Sequence, residues 1–182
     1  MANDDFSDDS SVVAELRARV RGNPPGFDFE TLHQPRDPDL ARLYAYWNEK
    51  RGPRLMPSRT DIDPCDIPWA LPHIFLVEAA PPPNHYRYRI HGTALAEFHG
   101  KDFTGLAIHE TVSAADAEVV LYAFDGIVAS RQPLFGKGPV FWCGDKNHKW
   151  YEACNLPLSA DGTTVNMIFG AIKFAPMCPP QP

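Results

Sequence analysis

Three groups of side chains in this sequence are of types that do chemistry. Cys143, Asp145, His148 and Cys154 lie within one twelve-residue stretch and are all metal-ligand types. Tetrahedral zinc needs thiolates or imidazoles converging at ~2.0–2.3 Å, and a hairpin between the two cysteines would bring some of these groups together. The spacing fits no established ligand pattern, and strand cysteines mostly serve as small apolar residues. No metal site is expected; a thiol or metal sensor through Cys143 and Cys154 is an alternative reading. His91, Glu97 and His99 form the second group, around a short helical run, and have the composition of a general acid/base pair. Against that, Tyr86, Tyr88 and Ile90 alternate with Arg87, Arg89 and His91, which puts His91 on the outward polar face of a strand. No nucleophile elbow and no HExxH run occurs. The chain is therefore expected not to be an enzyme, with a small α+β enzyme using these three residues as the alternative. The third group is aromatic: Tyr86, Tyr88, Phe98, Phe124, Trp142 and Tyr151, with Trp150 beside them. These rings are candidates to line a cavity for a small apolar ligand, because such pockets are mostly apolar with a few polar anchors.

The elements that must position these groups follow from periodicity and punctuation. Asp37 can cap a helix with Pro38 at its first position, and Gly52-Pro53 stops it. Leu40, Leu43, Tyr44 and Trp47 recur on one face of that helix and must be buried, either on the chain's own sheet or against a second copy. These four are the candidate homodimer interface. Residues 53–72 are punctuated by proline yet carry Leu55, Met56, Ile62, Ile67, Trp69 and Leu71, so they should wrap over the domain. Residues 73–79 form a near-continuous apolar strand, and a turn at 81–84 leads to a second strand at Tyr86–His91. Thr93 is placed to cap a short helix over 94–99, which Gly100 ends. Ser113 and Asp116 open a long helix over 114–130. Strands over 139–143, 148–158 and 163–174 complete the pattern. This is an α+β antiparallel sheet with helices gathered on one face, preceded by an N-terminal helical extension.

Composition bounds the rest. The chain of 182 residues suits one domain with extensions. Its formal charge of −6 argues against a nucleic-acid partner, which normally needs a basic face. The acidic start MANDDFSDDSS has no signal-peptide character, and no apolar run is long enough for a membrane span. Four cysteines without a CxxC pair suit a reduced, cytoplasmic protein. The divisions expected are an acidic, partly disordered extension over 1–36 with a short helix near 11–21, a domain over 37–175, and a proline-rich tail over 176–182. Phe27, Phe29 and Leu32 can tether the extension to the domain.

Taken in order, LYAYWNEKRG, LMPSRTDIDP, IPWALPHIFLVE, YRYRIHGT, GKDFTG and NLPLSADG resemble the PAS domains, in particular the compact single-PAS proteins of alphaproteobacteria. The resemblance runs from about Leu40 to Phe174. It implies a five-stranded antiparallel sheet, helices on one face, a cavity between them, and a sensory or adaptor role, commonly as a homodimer. Flavin-binding light sensors of this superfamily carry an Asn-Cys-Arg run after the second strand. EFHGKDFTG has no cysteine, which argues against a cysteinyl flavin. Haem-binding members commonly ligate iron through a histidine on or near the long helix; 113–130 has none, so haem would need His109, His99 or an unusual ligand and is not expected. No kinase, cyclase or helix-turn-helix sequence follows, so an output is expected to pass through a partner such as a histidine kinase.

Overall fold

The computed structural model describes residues 30–80, 86–146 and 148–176. The expectations for the helix at 11–21, for Phe27 and Phe29, for the turn at 81–84 and for 177–182 fall outside the described residues.

Among the described residues, six antiparallel strands form one sheet in the order β1-β4-β5-β6-β2-β3. They are β1 (Glu30–Leu32), β2 (Ile74–Ala79), β3 (Tyr86–His91), β4 (Leu134–Pro139), β5 (Lys149–Leu158) and β6 (Met167–Pro176). Three α-helices accompany them among the described residues: α1 (Pro38–Arg51), α2 (Thr93–His99) and α3 (Ala114–Ser130). The sheet thus has six strands and not the five expected. The added one is β1, which pairs with β4 through Leu32 opposite Phe135. The fourth strand also starts earlier than 139–143. Gly136 and Gly138 look like turn residues in the sequence, yet they sit inside β4 opposite Ala153 and Tyr151 of β5. β6 runs through Pro176, into the segment expected to be tail.

The caps of the two long helices act as the sequence suggests. Asp37 accepts hydrogen bonds from the backbone N–H of Asp39 and Leu40, and Gly52 closes α1 at φ 56°. Ser113 Oγ accepts from the Asp116 N–H at the start of α3. At α2 the expectation needs correcting, because Gly92 and not Thr93 is the capping position. A side chain there would overlap the Pro72 carbonyl, which crosses directly behind it.

Period-2 alternation sorts β5 onto two faces. Tyr151, Ala153 and Asn155 face α3, while Glu152, Cys154 and Leu156 face the opposite way. α2 and α3 therefore occupy one face, as expected, but α1 covers the other. Leu40, Leu43 and Trp47 are at most 2 % exposed, and Tyr44 meets Phe135 edge to face with centroids 4.8 Å apart. Trp47 Nε1 donates to the Pro157 carbonyl at 3.0 Å. This placement corrects the choice of Leu40, Leu43, Tyr44 and Trp47 as a dimer interface, since the chain's own sheet already buries the stripe. The N-terminus of α1 is fixed by Glu152 of β5, whose carboxylate accepts from the N–H of Arg36 at 2.6 Å and of Asp37 at 2.8 Å. Lys173 of β6 adds an ion pair to Asp39 at 2.6 Å.

Candidate functional site

The site is decided by one irregularity. The β2–β3 register shifts between Leu76 and Val77, so Val77 pairs with Tyr88 while Phe75 pairs with His91. A β-bulge inserts one residue and reverses the facing of everything beyond it. Tyr88 faces α3, and His91, three residues on, is turned to the same side and is only 7 % exposed. The expectation of an outward His91 is corrected on that account.

Between α3 and the sheet lies a cavity of about 120 Å³. Four of the six aromatic candidates, Tyr88, Phe124, Trp142 and Tyr151, are on its wall. Tyr86 and Phe98 are not. Tyr86 donates its hydroxyl to Asp125 of α3 at 2.7 Å, and Phe98 stacks on Phe174 with centroids 3.5 Å apart. Sequence reasoning missed Phe75, Phe103, Gly136, Asn155 and Ile172 as wall residues. Gly136 and Phe103 carried no periodic signal, whereas Phe75 and Ile172 could have been found from strand parity. Trp150 points to the other face, beside Lys137.

His99 is also on the wall, and it closes a chain of ring contacts. Trp142 Nε1 lies 2.9 Å from His99 Nε2, His99 Nδ1 lies 3.2 Å from His91 Nε2, and the Phe103 N–H lies 3.2 Å from His91 Nδ1. The indole and the amide can only donate. Both outer imidazole nitrogens must then be bare, so the three contacts together hold one imidazole proton where a neutral pair brings two. One donor always loses its partner. Proton transfer to His91 Nδ1, toward Asp102 Oδ1 at 3.6 Å, relieves the inner contact at the expense of the Phe103 amide. A further proton makes matters worse, and burial, then the neighbouring His91 and Lys146, hold the pKa of His99 down at about 4. Burial lowers His91 as well, partly offset by Asp102. Glu97 points to solvent, so only His91 and His99 of the proposed acid/base group meet.

Burial also pushes the Tyr88 and Tyr151 hydroxyls well above the ordinary range, so both are neutral donors and not activated nucleophiles. The cysteine grouping does not assemble: Cys154 is buried on the face opposite the cavity, and Cys143 sits in the loop before β5. No cluster of three or more metal-ligand side chains exists among the described residues. A flavin or haem does not fit this site as it stands. The volume is far below the ~300–1,000 Å³ of pockets for larger ligands, no cysteine lines it, His109 is exposed outside it, and the wall residue His99 has its two ring nitrogens against Trp142 and His91.

Residues 36–173 match the family model described as PAS domain, and the chain belongs to that family. Among solved structures it is similar to one described as "Structure of an RNA-binding Light-Oxygen-Voltage Receptor", with a TM-score of 0.50 and 15 % identity. That match covers 90 % of this chain and 48 % of the receptor, so the chain spans about half the receptor's length; at this identity the likeness speaks to the fold. No curated protein matches the chain.

Proposed function

We propose that this protein is a non-catalytic sensory and adaptor module of bacterial signal transduction, which takes a small apolar ligand between α3 and the sheet. The observation that carries the reading is the partly open aromatic cavity, whose titratable wall groups Tyr88, Tyr151 and His99 are all held neutral near pH 7. Such a site binds an apolar molecule well and offers little to general acid–base chemistry, which works best with a group poised near the working pH. An occupant changes the packing of α3 on the sheet, by no more than its differential affinity for the two arrangements. The partner is a signalling protein such as a histidine kinase, or a second copy docking on a surface other than the α1 stripe. A cytoplasmic location goes with four cysteines that form no CxxC pair, and the absence of a nucleic-acid partner with the −6 charge; RNA binding is said of the neighbouring receptor. No helix among the described residues is long and apolar enough to cross a membrane.

Native mass spectrometry of freshly purified protein tests this. A mass excess that disappears on denaturation supports the ligand, and its value identifies the class. A bare mass that also takes up no apolar probe turns the reading to a ligand-free adaptor.

A further inference from the structure

The cavity is matched to a narrow class of occupant by its size and by an imbalance in its hydrogen bonding. At about 120 Å³ it is slightly smaller than the ~150 Å³ apolar cavity known to take up benzene. One six-membered ring fits inside, and because the cavity is not closed all round a short substituent can extend from it. The walls supplied by Phe75, Phe103 and Phe124 favour a flat ring, which aromatic side chains meet edge-on or offset.

The polar groups on the wall are mostly engaged. Trp142 Nε1 donates to His99, Thr111 Oγ1 to the Ile108 carbonyl, and Asn155 Nδ2 to the Leu134 carbonyl. The hydroxyls of Tyr88 and Tyr151 remain: neither has a hydrogen-bond partner among the described residues, and neither is among the buried polar atoms sealed off without one, so both are reachable from the cavity they line. A hydroxyl on an apolar cavity wall with no protein partner is free to donate to a ligand acceptor, and the low polarity around it strengthens that bond. We infer that the ligand is a single-ring molecule carrying a hydrogen-bond-accepting oxygen of carbonyl type, anchored by the otherwise unpartnered hydroxyls of Tyr88 and Tyr151. This rests on the cavity reading above and adds to it the polar group that the ligand must bear.

The test uses acetophenone and α-methylstyrene, which share a shape and differ in a carbonyl oxygen against a methylene group. Affinities for the full chain are measured by isothermal titration calorimetry or ligand-observed NMR. The expected result is that acetophenone binds about tenfold more tightly, the value of one hydrogen bond to an otherwise unsatisfied group. The double variant Tyr88→Phe/Tyr151→Phe should bind both compounds equally, and the single variants divide the effect. The same double variant should melt near the wild-type temperature, since neither hydroxyl bonds another group among the described residues and both rings are kept. Equal binding of the two compounds by the wild type, or a preference that survives in the double variant, overturns the anchor while leaving the cavity reading intact. Failure of both compounds to bind overturns the cavity reading and the anchor together.

Discussion

His99 shows how a single residue can set a pH dependence for the domain. Burial favours its neutral form, so its folded pKa of about 4 lies below the ordinary 6.5. The unfolded chain therefore takes up this proton first as the pH falls. The stability that His99 contributes is complete above pH 6.5 and is lost progressively down to pH 4. Between neutrality and pH 4.5 the loss comes to about 2.5 kcal/mol. His99→Gln keeps an acceptor for Trp142 but does not titrate. Urea denaturation at a series of pH values should show the wild type weakening more steeply than this variant; parallel curves would show that His99 is already charged in the folded state. At Gly170 the constraint is steric. A Cβ there would overlap the ring of Phe75 and the carbonyl of Cys154. Gly170→Ala should lower the melting temperature by several degrees, since overpacking of this kind costs about 1–3 kcal/mol. Little of this was legible beforehand. Residue types and spacing mark His91 and His99 as chemical, but their meeting depends on a bulge at β2–β3 that breaks the alternation.

At the scale of elements, the helices were the most readable parts. α1 and α3 begin and end close to where their caps and glycines indicate, because capping chemistry is local. What covers a helix is not local, and that is why the α1 stripe could be assigned equally to a partner or to the chain's own sheet. With Trp47 buried and hydrogen-bonded to Pro157, Trp47→Ala should destabilise the folded chain by about 3–5 kcal/mol. Chemical denaturation measures that directly. A variant of native stability whose only defect is weaker self-association would restore the interface role. β4 was misplaced because its two glycines imitate a turn, and their place in the ladder is fixed only by β5 alongside. β1 is too short to carry any period at all.

For the molecule as a whole, the order of elements and the family were legible, and the existence of an aromatic-lined space was foreseeable from Tyr88, Phe124, Trp142 and Tyr151. Its volume and its unpartnered hydroxyls were not, since they depend on packing at the level of single atoms. The feature with the widest reach is β5, where Tyr151 and Ala153 look into the cavity and Glu152 between them holds the N-terminus of α1. Glu152→Gln keeps one acceptor oxygen but removes the charge that the two amides share, and should cost about 1–2 kcal/mol in urea denaturation. Because one strand serves both faces, the two events are thermodynamically linked. If filling the cavity tightens or loosens the seat of α1 by some factor, disturbing that seat must change the affinity of the cavity by the same factor. Acetophenone affinity in the Glu152→Gln protein therefore measures, from outside the cavity, how strongly its occupancy is felt at the N-terminal edge of the domain.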